Sequence, residues 1–178
     1  KEVYHLQPFV KWAGGKRQLI PELTKIMPSN FNQYLEPFIG GGALLLELEH
    51  KNSVISDNNH VLIGTYNDIK HNLDKLLPLL DKLQNEHNSC GDKEKAKEFY
   101  YQQRDNFNQI IFDNNESLNR SALFLYLNKA CFNGLYRVNS KGFFNVPFNQ
   151  KTTINIYERD NLVQISQFLQ TVDIYNQD

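Results

Sequence analysis

The chain has 178 residues, of which 40% are apolar and 22% charged, which suits a globular protein with one real core and room for a small second lobe. The formal net charge of −1 excludes binding to a polyanion through overall charge, and no apolar run is long enough to span a membrane. Cys90 and Cys131 match no metal-ligand spacing and residues 1–7 lack the apolar centre of a secretory leader, so free thiols and a soluble, cytoplasmic protein without a metal are expected.

Along the chain, Gln7 to Val10 reads as a short extended stretch, followed by the glycine-rich loop from Lys11 to Lys16. Leu19, Ile20, Leu23, Ile26 and Met27 recur at helical spacing, predicting a helix over 18–27 that ends at Pro28-Ser29-Asn30. Tyr34 to Glu36 reads as a short strand, Pro37 to Gly42 as a tight turn, Ala43 to His50 as a helix, and Ser53 to Ser56 as a second strand ending at Asp57. Strand, turn, helix and strand make a parallel βαβ unit. Two helical segments follow, Val61 to Leu83 and Glu94 to Phe112, with the polar stretch 85–93 expected as a loose loop between them. Leu118 to Cys131 is an amphipathic helix with Leu123, Phe124, Leu127 and Cys131 on one side. From Phe132 to Phe148 the pattern alternates around Gly134, the turn 139–142 and Pro147, predicting a hairpin. Leu162 to Leu169 is helical, and Val172 to Tyr175 reads as a buried strand.

Two places carry chemistry. The first is Leu35-Glu36-Pro37-Phe38-Ile39-Gly40-Gly41-Gly42, between a strand and a helix, with Asp57 ending the next strand. Glycines there let the chain turn sharply and let a ligand approach the backbone; helix-start amides face an anionic group, and a strand-terminal acid can accept from ribose hydroxyls. A plain flexible turn, and Asp57 as a cap for the helix after Asn59, are the alternative readings. Leu45 stands where the dinucleotide fingerprint needs its third glycine, and no Gly-Lys-Ser or Gly-Lys-Thr follows as a Walker loop requires. The second is 117–157, which contains no Asp or Glu but holds Arg120, Lys129, Arg137, Lys141 and Lys151. A hairpin rich in Phe, Tyr, Asn and Arg without acids is what base stacking and base readout need, although Tyr136, Phe143, Phe144 and Phe148 could equally pack a small lobe.

Three segments in this order resemble the Dam-type DNA adenine-N6 methyltransferases, the alpha group of amino-methyltransferases. They are Pro8-Phe9-Val10-Lys11-Trp12-Ala13-Gly14-Gly15-Lys16, then Glu36 to Gly42, then Asn128-Lys129-Ala130-Cys131-Phe132-Asn133-Gly134-Leu135-Tyr136-Arg137-Val138-Asn139 continuing to Gly142-Phe143-Phe144-Asn145-Val146-Pro147-Phe148. The resemblance implies an α/β fold: a partial Rossmann-like methyltransferase sheet of parallel strands with flanking helices, and an inserted, mainly helical lobe with a β-hairpin. Residues 1–60 and 152–178 would form the S-adenosylmethionine-binding part, and 61–151 the inserted target-recognition domain. Trp12, Ala13 and Lys16 would contact S-adenosylmethionine, with Lys16 near its carboxylate. Phe38, Gly40 and Gly42 would line the same pocket, Asp57 would hold the ribose, and Asp178 would lie beside the adenine of the cofactor. These residue types suit a zwitterion bearing a sulfonium. The plainer role for Trp12 is a core anchor.

By the same resemblance, the partner is double-stranded DNA with a short palindromic target of the GATC kind, in post-replicative methylation or a restriction-modification system. Arg137 would contact guanine bidentately, the commonest specific base contact. Phe132 and Asn133 would enter the duplex or meet its bases, Leu135 and Pro147 would meet base edges, Lys11 would reach a flanking guanine, and Asn139 belongs to the same DNA-binding set. The remaining basic groups would hold phosphates.

Adenine N6 is a weak nucleophile because its lone pair is delocalised into the ring. The family answers this with Asp-Pro-Pro-Tyr or a close variant, and no Pro-Pro pair occurs here. Asn145-Val146-Pro147-Phe148 is rejected as that motif, because valine replaces a proline and the segment lies within the recognition hairpin. No catalytic residue is therefore assigned. A piece of a larger enzyme, inactive alone and joined to a missing carboxy-terminal segment or to a second copy that covers the open sheet, is preferred. The alternative is a non-catalytic DNA-binding or cofactor-binding module.

Overall fold

The computed structural model describes residues 5–178; residues 1–4, the beginning of the expected cofactor-binding part, lie outside the described residues. Two compact units form, one from Lys1–His71 with Arg159–Asp178 and the other from Asn72–Glu158.

In the first unit a 3-10 turn at Arg17–Leu19 leads into α1 (Ile20–Ile26), where Pro21 sits in the first turn and so removes no intrahelical hydrogen bond. Then come β1 (Tyr34–Glu36), α2 (Ala43–Leu48), β2 (Ser53–Asp57) and α3 (His60–His71). The unit closes with α7 (Arg159–Leu169) and β3 (Val172–Asn176). The three strands are all parallel in the order β1-β2-β3, so the expected α/β sheet is present. The register puts Glu36 beside Ile55 and Ile55 beside Ile174, with Asp57 beside Asn176. Ile55 and Val172 on that face are buried, while Leu35 and Tyr175 on the other face are exposed. The third strand was expected to be buried, but only Val172 is fully so, because β3 lies at a sheet edge. α3 is fastened to the β3 end of the unit: Lys70 Nζ donates to the Val172 carbonyl at 2.7 Å and Ser166 Oγ to the Ile69 carbonyl at 2.6 Å.

The second unit holds α4 (Leu73–Asn88), α5 (Lys93–Phe112) and α6 (Leu118–Ala130), then a 3-10 turn at Phe132–Gly134 and an irregular stretch to residue 158. The single helix expected over 61–83 is two, because Asn72 leaves the helical region (φ −132°, ψ 26°) and separates α3 from α4. The loose loop expected over 85–93 is mostly helix, and only residues 89–92 intervene before α5. Polar residues near the end of α4 are held by the returning chain. Gln84 Oε1 accepts from Ile156 N at 2.7 Å, and Asn88 exchanges two hydrogen bonds with Ile154 at 2.8 and 3.0 Å.

Asp92 caps α5 by accepting from Lys95 N, and Ser117 caps α6 by accepting from Arg120 N. α6 was expected to bury one side only. It packs against both α4 and α5, and every residue from Arg120 to Asn128 is buried.

The expected hairpin is present in reduced form: its arms meet at two isolated antiparallel bridges, Cys131 with Phe148 and Val138 with Phe144, and across the 139–142 turn Asn139 N donates to the Phe143 carbonyl at 2.8 Å and Asn145 N to the Arg137 carbonyl at 3.2 Å. Phe144, Val146 and Phe148 point alternately inward and are buried. The backbone of Phe144 and Val146 is held, on the edge away from the opposite arm, by side chains of α5. Asn108 donates to the Phe144 carbonyl at 2.9 Å and accepts from Phe144 N at 2.8 Å, and the Tyr100 hydroxyl donates to the Val146 carbonyl at 2.7 Å.

At the centre of this unit His87 is fully buried. Its Nε2 lies 2.9 Å from the Lys151 carbonyl, which can only accept, so Nε2 carries the hydrogen and Nδ1 accepts from the Tyr126 hydroxyl at 2.8 Å. Burial holds the His87 pKa below its ordinary value, opposed in part by the Lys151 carbonyl. Burial, with a smaller contribution from the Cys90 charge, pushes the Tyr126 hydroxyl well above the ordinary tyrosine range, so it remains a donor. Unfolding restores the normal affinity of His87 for a proton. Below the unfolded pKa of about 6.5 the unfolded state therefore binds the extra proton, and stability falls with falling pH until the lower folded value is passed. Urea denaturation between pH 7.5 and 5 is expected to show this loss, with a His87 contribution of at most about 1.4 kcal/mol per pH unit that disappears in His87→Gln.

Candidate functional site

The carboxyl ends of β1 and β2 are bridged by the turn Pro37 to Gly42. Ile39 N donates to the Ser56 carbonyl at 2.9 Å and Gly42 N to the Ile39 carbonyl at 3.0 Å. The turn enters left-handed backbone three times, at Phe38 (φ 61°), Gly40 (φ 54°) and Gly42 (φ 73°). Glycine adopts this region freely, whereas Phe38 does so at a cost of order 1–3 kcal/mol and leaves its ring exposed.

Asp57 organises the turn from β2. Its Oδ2 accepts from Gly40 N at 3.2 Å and its Oδ1 from Asn59 N at 3.0 Å, so one buried carboxylate closes the glycine turn and the start of the next helix. Asn59 Oδ1 in turn caps α3, accepting from Val61 N and Leu62 N at 3.1 and 3.0 Å. From β3, Asn176 Nδ2 and Gln177 N donate to the Asp57 carbonyl at 2.9 and 3.1 Å. Asp178 follows immediately and is exposed.

The loop from Lys11 to Lys16 meets this turn directly. A Cβ placed on Gly40 would lie 2.9 Å from Cδ1 of Trp12, and one on Gly41 would lie 3.3 Å from the Val10 carbonyl. Trp12 is half-buried and Ala13 exposed, so Trp12 packs by one edge against the turn and is not a fully enclosed core anchor. Lys16 Nζ donates to Glu36 Oε1 at 2.9 Å, and the Tyr34 hydroxyl donates to Glu36 Oε2 at 2.8 Å. Burial first, and then the Glu36 charge, raise the Tyr34 pKa beyond the ordinary range, which keeps that hydroxyl a donor.

Glu36, Tyr34 and Tyr66 are the functional neighbours that the sequence reading did not single out. Tyr66 is completely buried in α3 and donates to the Gly40 carbonyl at 2.9 Å; burial, then Glu36 and Asp57, raise its pKa. Glu36 had a signal, because it is an acid at the end of a strand directly before the turn. Tyr66 had none, being one aromatic among several apolar residues of α3. The first unit thus brings together Trp12, Lys16, Gly40, Gly42 and Asp57, and the charges of Lys16, Glu36 and Asp57 sum to −1.

In the second unit, Phe132, Asn133, Leu135, Arg137, Asn139 and Pro147 are all exposed. Asn133 has a left-handed backbone (φ 57°), and the loop it belongs to is braced from α6: Asn128 Nδ2 donates to the Gly134 carbonyl at 3.2 Å. Phe132 N donates to the Pro147 carbonyl at 2.8 Å, which places the ends of this segment side by side. Asn139 Oδ1 accepts from Lys141 N and Phe143 N at 2.9 and 3.1 Å, so its side chain shapes the turn that follows Arg137.

Among the basic residues of 117–157, Lys129, Lys141 and Lys151 are exposed, but Arg120 is buried and lies 3.9 Å from Glu116. Arg120 therefore cannot serve as a phosphate contact. Phe144 and Phe148 are buried, and Tyr136 packs on Phe124 and Phe144, so these rings belong to the core of the unit. Burial of Phe148 also removes Asn145–Phe148 as a base-stacking motif, since its ring cannot meet a base.

Lys11 is exposed in the first unit. Among the described residues no group of three or more His, Cys, Asp or Glu could hold a metal ion, and no helix is long and apolar enough to cross a membrane.

The family model described as D12 class N6 adenine-specific DNA methyltransferase matches residues 12–178. The type II methyltransferase M.MjaIII of Methanocaldococcus jannaschii is 43% identical over 95% of this chain and 61% of its own length. M1.LlaDCHI of Lactococcus lactis subsp. cremoris is 40% identical over 95% of this chain and 57% of its own, and the DNA adenine methylase of Escherichia coli K12 is 35% identical over 80% and 47%. The chain spans roughly half to three fifths of the length of these relatives. With the family matched over nearly its whole length, the chain belongs to the D12 class of N6 adenine-specific DNA methyltransferases.

Proposed function

We propose that this chain carries the methyl-donor site and the DNA-reading lobe of an enzyme that methylates N6 of adenine in double-stranded GATC sites, using S-adenosylmethionine and releasing S-adenosylhomocysteine. The supporting observation is the convergence of the Trp12 loop, the Gly40 turn and two buried carboxylates at the carboxyl ends of β1 and β2. Ligands of open parallel sheets sit at that end. The residues fit the donor chemically: a sulfonium, an ammonium and a carboxylate sum to +1, against −1 for Lys16, Glu36 and Asp57. When bound, the donor supplies a methyl group activated by its sulfonium.

Lys16 uses one ammonium hydrogen on Glu36, which leaves two for the donor carboxylate. Asp57 uses one lone pair of each oxygen on Gly40 and Asn59, which leaves a lone pair on each for a ribose hydroxyl. Trp12 and Phe38 form aromatic walls, Ala13, Gly40 and Gly42 let the donor lie close to the chain, and Asp178 stands towards the adenine. In the second unit Arg137 reads guanine, Phe132 and Asn133 enter the duplex, Leu135 and Pro147 meet base edges, and Asn139 sets the turn that presents them. Lys11 reaches a flanking guanine, and exposed lysines hold phosphates. Relatives named DNA adenine methylase support the reaction class.

The activity belongs to the whole protein, because no Pro-Pro pair for adenine activation occurs in 1–178. Plasmid DNA from cells expressing the whole protein is expected to resist a nuclease that cuts only unmethylated GATC. Plasmid from cells expressing residues 1–178 alone should be cut as in control cells. Full cleavage in the first case removes the GATC assignment, and protection in the second removes the assignment of chemistry outside these residues.

A further inference from the structure

Arg137 is the exposed side chain to which guanine readout is assigned above, and this inference rests on that assignment. We propose that Asn145 is a positioning residue for base recognition: it holds the Arg137 guanidinium by its Nε and presents only the two-Nη edge to the major groove. Arg137 Nε donates to Asn145 Oδ1 at 2.9 Å, and Asn145 N donates back to the Arg137 carbonyl at 3.2 Å, so side chain and backbone both tie the pair. Among the described residues the Nη hydrogens of Arg137 have no partner.

Asn145 can act as an anchor because its neighbours are fixed. Phe144 is clamped through both its N and its carbonyl by Asn108 of α5. The Val146 carbonyl accepts from the Tyr100 hydroxyl at 2.7 Å and from Arg104 Nη1 at 3.2 Å. Both neighbours are buried, while Asn145 is half-buried with its side chain turned to the exposed arginine.

An arginine can grip guanine O6 and N7 through its two Nη groups or through Nε and one Nη. The Asn145 bond occupies Nε and leaves the end-on grip. It also removes, before DNA arrives, rotational freedom that an unheld arginine would lose on binding, which corresponds to about a two- to tenfold effect on recognition.

The test is a comparison of kcat/KM in the whole protein for GATC duplexes and for duplexes with each guanine in turn replaced by 7-deazaguanine, which lacks the N7 acceptor. Arg137→Ala is expected to collapse the guanine preference at one position by about 5- to 150-fold. Asn145→Ala is expected to lower the same preference by about two- to tenfold at the same position, with unchanged donor affinity and melting temperature. Asn145→Asp keeps the acceptor; it should keep the preference while weakening all duplexes alike, through the added negative charge near phosphates. If Arg137→Ala leaves the preference intact, the readout assignment falls and the proposal with it. If Arg137→Ala collapses the preference and Asn145→Ala does not lower it, or lowers all duplexes alike together with the melting temperature, the positioning role alone is overturned.

Discussion

Gly42→Ala should destabilise the first unit by about 2–6 kcal/mol, as the sum of two costs at one atom. The backbone there has φ 73°, which a residue with a Cβ occupies at a cost of order 1–3 kcal/mol. The new Cβ would also stand 2.5 Å from the Tyr66 hydroxyl oxygen, and crowding of a packed site adds roughly 1–3 kcal/mol. That hydroxyl cannot simply withdraw, because it donates to the Gly40 carbonyl in a fully buried setting. The two costs separate in a double-mutant cycle. Tyr66→Phe alone should lose about 1 kcal/mol by leaving the Gly40 carbonyl unpaired. Added to Gly42→Ala it should recover much of the crowding cost, since the next atom of that ring lies at 3.6 Å. Urea denaturation of the four proteins measures this; strictly additive losses would show that Tyr66 does not meet residue 42.

Asp57→Ala should weaken S-adenosylmethionine binding by roughly 100-fold or more, measured by calorimetry on the whole protein. Each hydrogen bond to a charged acceptor contributes about 1.5–3 kcal/mol, and the proposed ribose contact places two hydroxyls on this carboxylate. The same substitution releases Gly40 N and Asn59 N, so the turn loses its shape together with its ligand contact. Asp57→Asn distinguishes the two roles. It keeps one acceptor oxygen but sets an NH2 group against a backbone donor, so it should bind the donor far more weakly than the parent while folding better than Asp57→Ala. Donor affinity within threefold of the parent in both variants would remove Asp57 from the ligand site.

Much of this arrangement was legible in the sequence because it depends on short-range rules. The order strand, glycine turn, helix, strand predicts the parallel pair β1 and β2 from local pattern alone, and Pro28 marks the end of the first helix by its own backbone chemistry. The motif at 11–16 and the motif at 36–42 pointed to one site, and the contact between Trp12 and Gly40 is the packing that joins them.

What the chain's local pattern could not supply was decided by partners distant in sequence. Residues 85–88 look like a loop because they are polar, yet they stay helical because Gln84, His87 and Asn88 find their hydrogen-bond partners some 64–72 residues later. Alternation over 132–148 predicts the antiparallel pairing that forms, but not that Asn108 and Tyr100 of α5 hold the other backbone edge of Phe144 and Val146. Arg120 reads as a DNA contact by charge and is buried, because α6 is enclosed by both α4 and α5. Residue type and spacing by themselves determined the family, the parallel βαβ unit and the two motifs, 11–16 and 36–42, that the fold brings into contact. Which polar groups are spent on holding the chain and which remain for a ligand was decided only by the tertiary structure, since a hydrogen bond joins two groups and the second one is often remote in the sequence.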